Sequence, residues 1–202
     1  MDVDSTFITA EVIELLADHA GTREEVAQIT EAAMRGELDF AASLHERVAA
    51  LAGLPVSVFD VVRAQVEVSP GVPELVDFLA ERDWPLALVS GGFIEIVGPL
   101  AASWGITRAR ANALEVGPDG LLTGRVTGLV IDRAAKEEAL RFYAGVEGIH
   151  LRDTVAIGDG ANDLDMLAAA GLGIAFNAKP LVAEQADHAV RHTLTEVIDL
   201  LR

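Results

Sequence analysis

The chain has 202 residues, with 15 Lys plus Arg against 32 Asp plus Glu and a formal charge of −17 at pH 7. Such an acidic chain repels phosphate backbones and anionic lipid surfaces, which excludes nucleic acid and membrane as expected partners. Cysteine is absent, so disulfides, thiolate nucleophiles and cysteine-ligated metal sites are excluded too.

Hydrophobic residues make up 51% of the chain, yet no uninterrupted apolar run reaches the roughly 18 residues that a membrane-spanning helix needs. Met1-Asp2-Val3-Asp4 lacks the basic and apolar regions of a secretory signal, which gives a cytoplasmic reading. From residue 11 to residue 67, apolar residues recur at three- and four-residue spacing and predict four short amphipathic helices forming a small bundle. The first runs from about Glu11 to Ala20 and stops at Gly21; Thr22 and Glu25 read as the capping box of the second. The third begins near Asp39 with Phe40, Leu44, Val48 and Leu51 as its stripe, and the fourth follows Pro55.

From Ser69 onward, helices alternate with short apolar runs, the pattern of a parallel sheet covered by helices. Strands are predicted over 85–89, 154–158 and 172–176, and helices over 72–82, 93–104 and 134–145. The Gly117-Pro118-Asp119-Gly120 turn predicts a hairpin between Ala111 and Val130. The fold class is α/β, a Rossmann-like core of residues 1–10 and 69–202 with residues 11–68 inserted as a helical-bundle cap.

Ligands of open parallel sheets gather at the carboxyl ends of the strands, and three reactive clusters fall there. In Asp2-Val3-Asp4-Ser5-Thr6, residues two apart on extended backbone put two carboxylates on one side. Ser90-Gly91-Gly92 follows a strand and offers a hydroxyl and backbone N–H groups at a helix start, which suits phosphate. Gly158-Asp159-Gly160-Ala161-Asn162-Asp163 follows another strand and adds two carboxylates. Clustered carboxylates beside a phosphate site call for a hard cation, Mg²⁺. Taken singly, each cluster has a plainer reading: a helix-start cap for Asp2 and Asp4, a strand-to-helix turn for Ser90, helix caps for Asp159 and Asp163. Lys136, in a charged helical stretch, reads alone as a solvated surface residue. The Ser90 segment has Leu88 where a hydrolase elbow needs glycine, and the Gly158 motif ends in Asp163 where a dinucleotide fingerprint needs glycine. His188 and His192 lack the glutamate of a zinc-peptidase helix and read as structural histidines.

In this order, with Lys136 between the second and third clusters, the motifs resemble the haloacid-dehalogenase superfamily over essentially the whole chain, and within it the phosphoserine phosphatases. The resemblance implies hydrolysis of the small molecule O-phospho-L-serine, the last step of L-serine biosynthesis. By the same resemblance, Asp2 attacks phosphorus to form a phosphoaspartyl intermediate, and Asp4 protonates the leaving oxygen and later activates water. It assigns Mg²⁺ to Asp2, Asp159 and the Asp4 backbone carbonyl with Asp163 in support, and the phosphoryl oxygens to Ser90 and Lys136. Glu11 matches the residue facing the substrate ammonium and Arg47 the one facing its carboxylate, while Met34, Phe40, Gly91 and Asn162 match other residues near the substrate. Read without the resemblance, Glu11 and Arg47 form a cap salt bridge, or Arg47 snorkels. Alternatives are phosphoryl transfer to another acceptor, hydrolysis of a different small phosphomonoester, or a phosphate- and Mg²⁺-binding fragment without turnover. The resemblance also implies a buried first strand ahead of the nucleophile, and only Met1 precedes Asp2; the expectation is a sheet without that strand and either a start further upstream, with a regulatory region, or a truncated chain or misassigned start. A homodimer is the other expected partner.

Overall fold

The computed structural model describes residues 1–34 and 39–202, with the side chains of Ala33 and Met34 outside that description. Four helices open the chain: α1 (Val12–Ala20), α2 (Arg23–Met34), α3 (Phe40–Ala49) and α4 (Val58–Gln65). Their apolar stripes face inward as the spacing predicts, with Val12, Ile13, Leu16 and Ala17 buried on α1 and Leu44 and Val48 on α3. Asp39 caps α3 by accepting the Ala42 N–H at 2.7 Å. Thr22 precedes α2 as expected, but its hydroxyl donates to the Ala50 carbonyl at 3.2 Å and ties α2 to the end of α3.

The segments entering and leaving these helices lie side by side. Ile8 pairs with Val68 in an antiparallel bridge, Ser69 N–H donates to the Phe7 carbonyl at 2.9 Å and Thr9 N–H to the Glu67 carbonyl at 3.0 Å. After α5 (Val72–Ala80) come β1 (Ala87–Phe93), α6 (Ile94–Ser103), β2 (Arg108–Val116) and β3 (Leu122–Thr127). Strands β1 and β2 are parallel, and β2 and β3 form the expected hairpin. Helix α7 (Arg133–Glu147) leads to β4 (Val155–Gly158), α8 (Leu164–Ala169), β5 (Leu172–Phe176), α9 (Pro180–Gln185), β6 (His188–Val190) and α10 (Thr195–Leu200), with β4, β5 and β6 parallel in that order.

Met1 and Asp2 join the two three-stranded halves. Met1 nitrogen donates to the Ala87 carbonyl and the Met1 carbonyl accepts from Val89 N–H, both at 2.9 Å, while Asp2 N–H donates to the Ile157 carbonyl at 2.9 Å. Where the sequence predicts a gap between β1 and β4, these two residues supply its pairing at the end that carries Asp2. Val3 and Phe7 are buried just beyond, within a hydrophobic cluster that runs unbroken from the bundle through Leu88, Phe93 and Ile174 to Val197.

Two readings change. Strand β1 continues through Ser90–Phe93, because Phe93 still pairs with Asn112 on β2, so Ser90–Gly92 is bulged strand and α6 starts only at Ile94. His188 and His192 are exposed, the first on edge strand β6, and neither is a core residue.

Leu88 is fully buried in β1, whereas Val61 is 46% exposed on α4. In denaturant unfolding, Leu88→Ala lowers stability by about 2–5 kcal/mol and Val61→Ala by no more than about 0.5 kcal/mol.

Candidate active site

Parallel pairing brings three chain segments to one end of the sheet: Asp2 between the two halves, Ser90–Gly92 after Val89, and Asp159 directly after β4. Helix α7 enters from the side. Asp132 caps it by accepting the Ala135 N–H at 2.9 Å, which fixes the first turn and directs Lys136 into the protein. The Lys136 side chain is fully buried, contrary to the surface reading of its charged stretch. Its Nζ donates to Asp2 Oδ1 and Asp163 Oδ1, both at 2.7 Å. Burial alone would lower the Lys136 pKa, but the two carboxylates outweigh it and hold the ammonium above its ordinary range. Burial pushes the Asp2 carboxyl up; Lys136 pulls it back and Asp163 adds to the rise.

Asp163 closes a tight turn over Ala161–Asp163, with Oδ2 accepting the Gly160 N–H at 3.0 Å. A β-carbon at Gly158 would lie 2.4 Å from Asp163 Cγ, so strand β4 must end in glycine for the carboxylate to fit. Thr6 Oγ1 donates to Asp159 Oδ1 at 3.0 Å, and burial raises the Asp159 pKa to about 6. One oxygen each from Asp2, Asp159 and Asp163 lies within 4.8 Å of the others, an all-carboxylate donor set that fits a hard divalent cation.

The Asp4 carboxylate stands outside that set. Its Oδ1 accepts the Val12 N–H at 2.8 Å and its Oδ2 the Ser90 hydroxyl at 2.9 Å. Burial first, and the Glu11 charge second, raise its pKa to about 6. The Ser90 hydroxyl, fully buried, also accepts the Gly92 N–H at 2.7 Å. Glycine is obligatory at residue 92, where a β-carbon would sit 2.5 Å from Asp4 Oδ2. Ser5 turns the chain here with φ of 56°, a left-handed conformation that costs a non-glycine residue about 1 kcal/mol. That turn lets Ser5 Oγ donate to Glu11 Oε1 at 2.7 Å. The roles of Ser5 and Thr6 go unread in the sequence although both stand in the quoted Asp2–Thr6 motif; hydroxyls next to paired carboxylates were the available signal.

The bundle supplies the rim. A β-carbon on Gly91 would lie 3.1 Å from the Phe40 ring and 3.8 Å from Asn162 Nδ2, which puts those side chains over the Ser90 segment. Arg47 bonds through Nε to the Ser43 carbonyl at 3.2 Å, and its guanidinium feels the charges of Glu11 and Asp4. Among the described residues Arg47 forms no ion pair, so the cap salt bridge with Glu11, one of the two plainer readings of this pair, is not made. The structure thus brings together Asp2, Asp4, Ser90, Gly91, Lys136, Asp159, Asn162 and Asp163 with Glu11, Phe40 and Arg47 alongside; Met34 ends α2 and its side chain lies outside the described residues. A separate cavity of about 500 Å³ opens at the amino-terminal ends of β1 and β4, lined by Leu86, Ala87, Leu140, Tyr143 and Val155. It is mainly apolar, and of its two carboxylates Glu147 is paired with Arg108 and Asp153 with Arg152 at 3.7 Å.

Residues 1–168 match the haloacid dehalogenase-like hydrolases. The chain belongs to that family. This haloacid dehalogenase-like chain is 58% identical over 190 residues to a phosphoserine phosphatase of Streptomyces coelicolor, covering 94% of the chain but only 46% of that relative. It thus spans about half the length of that relative. It is 50% identical over 202 residues to a phosphoserine phosphatase of Streptococcus thermophilus, covering 100% of the chain and 94% of the relative. A solved structure described as a phospho-aspartyl intermediate analogue of phosphoserine phosphatase superposes with a TM-score of 0.92 at 42% identity, covering 100% of this chain and 96% of that one.

Asp159 provides a test of the site's electrostatics. Because its pKa is raised on folding, its ionisation opposes folding above pH 6 and has no effect below the unfolded value near 3.8. With chelator present, Asp159→Asn therefore stabilises the protein at pH 8 by roughly 1–2 kcal/mol and leaves stability at pH 3.5 unchanged, measured by denaturant titration. An added divalent cation stabilises the parent protein more than the variant.

Proposed function

We propose that this chain is a Mg²⁺-dependent phosphatase that hydrolyses O-phospho-L-serine to L-serine and phosphate through a phosphoaspartyl intermediate, in the cytoplasm. The observation that carries the reading is the buried Asp2–Lys136–Asp163 cluster beside a second carboxyl, Asp4, raised to about 6. The names of the relatives supply the substrate, and the phosphoaspartyl analogue supplies the intermediate.

Residues 1–10 and 69–202 form the core that does the chemistry in this reading, and 11–68 the cap that selects the substrate. The paired crossings at Ile8 and Val68 support that division, as does the origin of Glu11, Phe40 and Arg47 in the helical segment.

Asp2 is the nucleophile: one carboxylate oxygen forms the bond to phosphorus while the bond to the serine oxygen breaks. Two unit charges about 4 Å apart repel by about 4 kcal/mol at an effective dielectric near 20. Lys136 offsets that repulsion from within the site, and with the Ser90 hydroxyl holds the phosphoryl oxygens. Asp4 protonates the departing serine oxygen, then takes the proton of the water that opens the phosphoaspartate, roles worth about 10²- to 10⁴-fold. A carboxyl raised to about 6 suits both, since it exchanges its proton near neutral pH. Asp2, Asp159 and the Asp4 backbone carbonyl would hold Mg²⁺, with Asp163 in support. When bound, the cation supplies positive charge that neutralises the carboxylates and the developing charge on phosphate. Glu11 faces the substrate ammonium and Arg47 its carboxylate, with Phe40, Met34, Gly91 and Asn162 along its length.

The test is phosphate release from O-phospho-L-serine against a small phosphomonoester without the amino-acid group, with and without Mg²⁺. Mg²⁺-dependent release favouring phosphoserine is expected. Asp2→Asn lowers it by three orders of magnitude or more, and Arg47→Ala raises KM for phosphoserine roughly tenfold or more while sparing the simpler ester. Equal rates on both esters would remove the amino-acid specificity, and no release from either would overturn the phosphatase reading.

A further inference from the structure

Between Val89 and Phe93, β1 advances four residues while its partner β2 advances only from Arg110 to Asn112. The two surplus residues lift Ser90–Gly92 out of the ladder, and the Gly91 carbonyl loses the backbone N–H that a regular strand would give it. The Asn112 side chain replaces it, with Nδ2 donating to the Gly91 carbonyl at 2.7 Å. On its other side, Asn112 Oδ1 accepts the Ile131 N–H at 2.8 Å. Asn112 is 1% exposed, and its amide orientation follows from facing a carbonyl on one side and an N–H on the other.

Ile131 is the residue before Asp132, and Asp132 caps α7 and accepts the Lys136 N–H through its own carbonyl at 3.0 Å. One buried amide therefore bridges the segment that carries Ser90 and the start of the helix that carries Lys136. We propose that Asn112 is a positioning residue, which fixes the spacing between the two groups that grip the phosphoryl oxygens, Ser90 and Lys136. This inference rests on the phosphatase reading for its catalytic consequence. Gly91 also lies against the same turn, since a β-carbon there would be in van der Waals contact with the Ile131 carbonyl at 3.8 Å. A catalytic group displaced by about 1 Å costs roughly 10²-fold in rate, so losing this bridge reaches the chemistry without touching substrate.

The test combines Asn112→Leu with hydrogen–deuterium exchange over residues 88–93 and 130–137, and with kcat and KM for phosphoserine and for a simple phosphomonoester. Exchange is expected to rise in both segments together. The same variant loses about ten- to a hundredfold in kcat on both esters, with a much smaller change in KM for phosphoserine, because the cap contacts are untouched. If Asn112→Leu fails to fold, Asn112→Ala, in which water can reach the freed groups, carries the same measurements. Faster exchange in one segment only, or in both with kcat unchanged, overturns the proposal. An inactive parent protein would instead fail the phosphatase reading, while the exchange data still decide whether Asn112 couples the two segments.

Discussion

A single ammonium group, Lys136 Nζ, is buried between two carboxylates at 2.7 Å each, and the site's architecture follows from keeping it there. Removing three charges from water costs several kcal/mol per ion, and an apolar trio of similar volume would serve stability as well or better. The arrangement is therefore an electrostatic device first. It also fixes topology, because its members come from the amino-terminal segment, the first turns of α7 and the turn after β4. Only a sheet that sets Asp2 between β1 and β4 brings all three to one point.

One ammonium does not balance the carboxylates around it. Asp2, Asp4 and Asp159 are all pushed above their ordinary pKa, each with burial as the leading cause. A site strained in this sense holds negative charge in reserve, which a divalent cation can neutralise on binding. Asp4 keeps apart from the metal-type cluster through two hydrogen bonds of its own, from Val12 N–H and Ser90 Oγ. That separation leaves the Asp4 carboxyl outside the cluster of carboxylates that a cation would share.

Much of this was legible in the sequence, and the reasons are local. The bundle helices, the core strands and the hairpin follow from hydrophobic period and turn residues, and the three reactive clusters follow from motifs at strand ends. What was not legible depends on pairing between distant segments. β1 runs past Ser90 because β2 holds Phe93 opposite Asn112, and β6 is only three residues long, too short for a periodic signal. Met1 and Asp2 act as strand only because Ala87, Val89 and Ile157 flank them. Lys136 reads as a surface residue from neighbours such as Glu137 and Glu138, yet helix phase turns it fully inward. Asn112 carries no local signal at all, since its partners lie 21 and 19 residues away.

The most direct test of the account is to mix the protein with O-phospho-L-serine and Mg²⁺, quench in acid within the first turnover, and locate any covalent phosphoryl group by peptide mass spectrometry. An acid-stable, hydroxylamine-labile acyl phosphate on Asp2, absent from Asp2→Asn, is the expected result. Phosphate release by an active enzyme with the phosphoryl group on another residue, or with water attacking the ester directly and no covalent species formed, would contradict it.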